Sequence, residues 1–202
     1  MDIDSLYSMV RHNNPGLFKK KKKQKKYYNA STLIGATLPQ SHAIKFGNFM
    51  EAFYKAIIDA NSDKVEVVDL SHILASNVLV GISDDLKPKQ IDLLIKEVVK
   101  DQYSHHFLES KVNCELDSEK WAHTLMKIEN VSKAISGHYK THCTGRILTP
   151  WYKYEKDMPN QYRSDVVMFA EEFLSLIGLN VTEEEWYDTL HQLGQKYMRD
   201  VT

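Results

Sequence analysis

In the run Tyr103-Ser104-His105-His106-Phe107-Leu108-Glu109-Ser110-Lys111-Val112-Asn113-Cys114, a carboxylate and an ammonium stand two residues apart amid apolar neighbours. Read as a strand, the run places Phe107, Glu109, Lys111 and Asn113 on one face and Leu108, Ser110, Val112 and Cys114 on the other. Charges are rarely buried without partners, so this pair asks for one. Upstream lies Gln90-Ile91-Asp92-Leu93-Leu94-Ile95-Lys96. An antiparallel hairpin turning near Lys100-Asp101 sets Asp92 opposite Glu109. Two carboxylates facing each other across strands repel; a divalent cation between them removes that penalty. Magnesium suits the arrangement, because it takes one or two protein carboxylates and completes its shell with water and phosphate oxygens. Lys111 would then hold or help deprotonate an attacking water, while the cation offsets charge building on a phosphate under attack.

A helix competes for the same residues. From Pro88 to Val99, Ile91, Leu94, Ile95, Val98 and Val99 also share one helical face, with Asp92 and Lys96 as an exposed i, i+4 pair. Periodicity alone slightly favours that helix; the downstream motif, which needs a partner aspartate, reverses the preference. An acid-x-Lys triplet by itself carries little information, since a chain of this composition contains about three by chance. Two occur here, Glu109-Ser110-Lys111 and Asp85-Leu86-Lys87. The second runs into Pro88 and has no strand around it. Context singles out the first: an apolar strand, an aspartate separated from it by sixteen residues, and the continuation Leu116-Asp117-Ser118-Glu119-Lys120.

Asp92, sixteen residues and then Glu109-Ser110-Lys111 resemble the PD-(D/E)xK nuclease signature. The string Leu108–Lys120 resembles its extended form in type II restriction endonucleases, where the E-x-K strand leads to an Asn and then to Leu-Asp-Ser/Thr-Glu-Lys at a helix start. Gln90-Ile91 stands where a proline usually precedes the aspartate. The resemblance covers about Lys89–Trp121 well and the remainder only in order of elements. It implies magnesium ligation by Asp92, Glu109 and the Ser110 carbonyl, with Lys111 as catalytic lysine. Glu51 looks, more loosely, like a helix glutamate that some of these enzymes place beside the metal. The implied fold is α/β: a mixed central β-sheet flanked by helices. The implied activity is magnesium-dependent hydrolysis of double-stranded DNA at a short specific site, by a homodimer with one active centre per strand. Its products would carry 5′-phosphate and 3′-hydroxyl ends. Such an enzyme endangers its own genome, so a cognate DNA methyltransferase is the expected genetic partner. Junction resolvases and repair nucleases share the motif, and a non-catalytic DNA-binding protein is the remaining alternative.

Other residues invite weaker readings. His105 and His106, adjacent on a strand, point to opposite faces, which favours structural roles over shared metal ligation. Cys114, His142 and Cys143 lack zinc spacing. With no Cys-x-x-Cys pattern, the two cysteines read as reduced thiols of a cytoplasmic protein. Trp121, Trp151 and Trp186 read as core residues. Arg146, at a strand-to-loop change, could contact guanine, grip a phosphate or pair with an internal acid.

The net charge of −1 over 202 residues conceals an asymmetry. Residues 1–26 carry eight bases (Arg11, Lys19, Lys20, Lys21, Lys22, Lys23, Lys25 and Lys26) against two acids, +6, whereas the other 176 residues hold 18 bases and 25 acids, −7. The lysine block can lie along a phosphate backbone or remain a solvated arm. A composition 43% hydrophobic and 26% charged fits one globular domain: a basic segment over 1–40 and a catalytic core over 41–202. No run is apolar enough to span a bilayer. Helical spacing is expected over Asp4–Arg11, His42–Ala60 and from Ser118 to about Gly137, then over Asp165–Leu176 and Thr182–Met198. Thr182-Glu183-Glu184-Glu185 supplies a capping box for the last.

Overall fold

The structure is a computed structural model describing residues 2–19, 40–68, 91–99, 102–111, 118–149 and 165–201. Internal contacts divide the chain into two compact units, Met1–Asn61 with Asn180–Thr202, and Ser62–Leu179. Periodicity treats the chain as one domain, because a pattern read along the sequence cannot join its first and last segments.

The first unit is helical. Helix α1 (Ile3–Asn13) is capped by Asp2, whose Oδ1 accepts from the N–H groups of Asp4 and Ser5, satisfying two donors that a helix start leaves open. The chain breaks at Asn14 into a 3-10 turn, Pro15–Phe18. Helix α2 (Gln40–Asn61) buries Phe46, Phe49, Met50, Phe53, Ile57 and Ile58 of the apolar stripe whose spacing predicts it, while Ile44 of the same stripe is exposed. Phe49 packs against Phe18, Tyr7 and Tyr197 with ring centroids 5.7, 5.5 and 5.2 Å away.

The second unit holds a five-stranded mixed sheet in the order β1 (Val65–Val67), β2 (Leu93–Val99), β3 (Gln102–Ser110), β4 (Cys143–Leu148) and β5 (Val167–Met168). The first three strands are antiparallel neighbours; β4 and β5 join in parallel. A parallel step needs a crossover, and the one from β3 to β4 includes the long helix α3 (Ser118–Tyr139). Ile128, Val131, Ala134 and Ile135 of α3 pack on Leu94, Phe107, Cys143, Ile147 and Val167. These strand residues share one sheet face by register. The opposite face, with Leu93, Ile95, Leu108, Leu148 and Met168, is buried too. No helix among the described residues is long and apolar enough to cross a membrane.

Of the two readings of Pro88–Val99, the hairpin is the one the described residues adopt: Leu93–Val99 is strand β2, paired over its length with β3. The apolar run satisfies either period, and buried neighbours on both sides select the extended one. The helix expected over Asp165–Leu176 is divided. Val167-Met168 forms β5, with Ile147 N–H donating to the Val166 carbonyl and Thr149 N–H to that of Met168, and helix α4 covers only Ala170–Leu176. Gly178, just past the end of that helix, has φ +69°, the left-handed conformation glycine tolerates. The last helix, α5 (Glu183–Val201), belongs to the helical unit and starts with the expected capping box: Glu185 N–H donates to Thr182 Oγ1 at 3.2 Å, and Thr182 N–H to Glu185 Oε2 at 2.8 Å. That hydrogen bond from the Thr182 amide holds the Glu185 carboxyl below its usual range.

Candidate active site

Asp92 immediately precedes β2, and the pairing Leu93↔Leu108 carries on by one residue to face Asp92 with Glu109. Apolar strand residues on both sides bury the two acids, leaving them 8% and 5% exposed. Asp92 Oδ2 accepts the Ser110 amide N–H at 2.9 Å, and Oδ1 has no hydrogen-bond partner among the described residues. Burial, and then the negative charge of Glu109, push the Asp92 carboxyl above its usual range. The opposing pull of Lys127, Lys111 and the Ser110 amide does not cancel them. This corner of the sheet is therefore short of positive charge at Asp92.

Glu109 is held differently. Lys111, two residues further along the chain, donates to Oε1 at 2.6 Å, and Lys127 of α3 donates to Oε2. Lys127 also lies over the Phe107 ring, 5.9 Å from its centroid, so its stem runs along the apolar face while its ammonium reaches the acids. The helix turn carrying Lys127 is set by Gly145 on β4. A Cβ there would lie 2.1 Å from Ser132 Oγ and 2.8 Å from Ile128 Cγ2, so only glycine lets α3 approach the sheet this closely. The four side chains together are electrically neutral.

The chemistry of these donors fits a hard divalent cation. Two carboxylates meet in a buried place, one with an oxygen left over among the described residues and a charge it holds reluctantly. Magnesium is commonly held by so small a protein set, with solvent and phosphate oxygens in the remaining positions. Among the described residues no group of three or more His, Cys, Asp or Glu side chains comes together, so the candidate is a two-carboxylate site.

The structure brings together Asp92, Glu109, Ser110 and Lys111. Glu51 is half-buried on α2, in the helical unit. Lys19 is exposed, and its carbonyl accepts from Lys45 Nζ; Lys20, Lys21, Lys22, Lys23, Lys25 and Lys26 fall outside the described residues, as do Cys114 and Trp151. Arg146 is committed within its own unit: it pairs with Glu172 at 2.7 Å and donates to the Asp165 carbonyl through Nε and Nη2. Of the partners open to it in the sequence, it takes the internal acid. His105 and His106 diverge as strand neighbours must. His105 meets Thr141 Oγ1 at 2.7 Å and stacks on Tyr139, whereas His106 meets Glu97 at 2.9 Å. Cys143 is a free, buried cysteine whose thiol burial pushes up to about 11. Trp186 is fully buried.

Sequence reasoning missed Lys127. Its signal was present: it lies three residues after Thr124 and four before Val131, on the edge of the buried stripe of α3, where a lysine needs an acid within reach. Comparison with known proteins adds no relative, since no family model, no curated protein and no solved structure matches the chain significantly.

Proposed function

We propose that the chain is a magnesium-dependent endonuclease of the PD-(D/E)xK kind, acting on double-stranded DNA as a type II restriction enzyme. The observation that carries this function is the facing of Asp92 and Glu109 across the β2–β3 hairpin, with Lys111 on the Glu109 carboxylate. Consistent with it, the sheet is mixed, with an antiparallel meander leading through a helix to parallel strands. Asp92, Glu109 and the Ser110 carbonyl would hold the cation, which when bound supplies charge stabilisation to the phosphate under attack. Lys111, two residues past Glu109, is placed for its ammonium to hold the attacking water and to stabilise the hydroxide left when that water gives its proton to solvent. The water oxygen bonds to phosphorus, the bond to the 3′ oxygen breaks, and the products are a 5′-phosphate and a 3′-hydroxyl. Glu109 stays fixed because its strand is hydrogen-bonded on both sides, and Asp92 because its carboxylate accepts the Ser110 amide.

Cutting both strands of a short site calls for two such centres related by two-fold symmetry, so the acting species in this reading is a homodimer. The lysine block at 19–26 would contact backbone phosphates. A cognate methyltransferase would protect the host's own sites.

Digestion of sequenced plasmid DNA with and without magnesium, followed by mapping of the ends, tests the function. Discrete fragments with a common end sequence, absent without magnesium and absent with Lys111→Ala, are expected. Cutting governed by branched or damaged structure would indicate a resolvase or repair nuclease. DNA retained on a gel but intact in both magnesium and manganese would leave only a binding protein.

A further inference from the structure

Lys127 is a half-buried cation on Glu109 of the acidic pair, supplied from a second element. Both oxygens of Glu109 are taken by ammonium groups, Lys111 on Oε1 and Lys127 on Oε2. A divalent cation that ligates Glu109 must therefore share or displace one of them. Both lysines reach Glu109 on four-carbon stems, with side chains 26% (Lys111) and 15% (Lys127) exposed. The nuclease reading keeps Lys111 at the site for the attacking water, which leaves Lys127 as the ammonium to be displaced.

We propose that Lys127 is a positioning residue that acts as a resident counterion: in the metal-free protein its ammonium neutralises Glu109, and it yields Oε2 when a divalent cation enters. The proposal rests on the nuclease reading of the site. Its physical basis is that Asp92 and Glu109 repel each other, and an ordered pair of acids facing across strands needs compensating charge before any metal arrives. The close seat of α3 on Gly145 keeps that charge within reach. Once released, the ammonium stays beside the site as positive charge available to a phosphate oxygen. Lys127 thus competes with the cation while the protein is free and assists it once DNA is bound.

The test is Mn²⁺ binding to the full chain without DNA, measured by paramagnetic resonance for wild type, Lys127→Met and Lys127→Arg, with melting curves at each Mn²⁺ concentration. Loss of a like charge next to the cation is expected to tighten Mn²⁺ binding to Lys127→Met by about fivefold or more. The metal-free variant is expected to melt below wild type and to gain more from Mn²⁺. Lys127→Arg, which keeps the charge, is expected to bind Mn²⁺ as wild type does. With DNA, Lys127→Met is expected to lower kcat while KM changes little. Unchanged or weaker Mn²⁺ binding in Lys127→Met, with wild type binding normally, overturns the counterion role and leaves the nuclease reading intact. Absence of Mn²⁺ binding in wild type overturns both. If Lys127→Met does not fold, Lys127→Gln gives the same comparison with a side chain that still hydrogen-bonds Glu109.

Discussion

The two ends of the α3-facing side of the β2–β3 hairpin solve the same problem in opposite ways. At the end away from the acids, each polar group has one complementary partner. Lys96 pairs with Glu66 at 2.7 Å on the neighbouring strand, and His105 is satisfied by Thr141 and stacked on Tyr139. At the other end two acids of like sign are set against each other, and two lysines are drawn in to offset them. The first arrangement is what stability alone produces. The second keeps Asp92 where burial and a like charge disfavour its ionised form, and such local conflict is characteristic of functional sites.

Substitutions sharpen the contrast. Lys111→Ala is expected to reduce DNA cleavage at least about a hundredfold, whereas Lys96→Ala is expected to leave the rate within about twofold, since an exposed pair contributes little; cleavage rates at saturating magnesium check both. If Lys96→Ala were as damaging as Lys111→Ala, the distinction between the two ends would collapse. Glu109→Gln strands two partly buried ammonium groups and is expected to cost on the order of 2 kcal/mol of stability, read from denaturant unfolding without metal.

Asp92→Asn should act in the opposite direction. A carboxyl raised above its unfolded value gives a contribution that is present below the unfolded pKa and lost as pH rises through the folded one. At neutral pH the ionised Asp92 is therefore a net cost, and its amide variant is expected to be more stable by on the order of 1 kcal/mol, about 2–4 °C. The advantage should vanish in acid. Equal melting temperatures at pH 7 would mean that Asp92 is already compensated. The smallest expected effect comes from the other end. Burial, with the positive charge of Lys96 and His106, lowers the His105 pKa. Its contribution is present above the unfolded histidine pKa and lost as pH falls through the folded one. His105→Gln should flatten that loss in a melting-temperature series between pH 7 and 5. The two ends thus titrate with opposite slopes.

Much of this was legible in the sequence where a local rule decided it. The capping box at Thr182–Glu185, the buried stripe of α2 and the alternation through Phe107–Lys111 each follow from spacing alone. The hairpin pairing of Asp92 with Glu109 was legible only because the motif downstream demanded it, since Ile91–Val99 satisfies a helical period equally well. Three features were legible only in part or not at all. Strand β5 is two residues long and owes its form to β4 beside it. Arg146 had three chemically reasonable partners, and only the fold places Glu172 and the Asp165 carbonyl within its reach. Lys127 contacts Glu109 across eighteen residues of sequence, and its reach depends on Gly145, a residue that no periodicity connects to it.

The central claim is that Asp92 and Glu109 jointly bind one divalent cation. Calorimetric titration of the wild-type chain with Mg²⁺, beside Asp92→Asn and Glu109→Gln, tests it most directly. One cation bound per chain in wild type and none in either variant is the predicted result. Mg²⁺ binding that survives unchanged in both variants, or no binding to wild type at all, would contradict it.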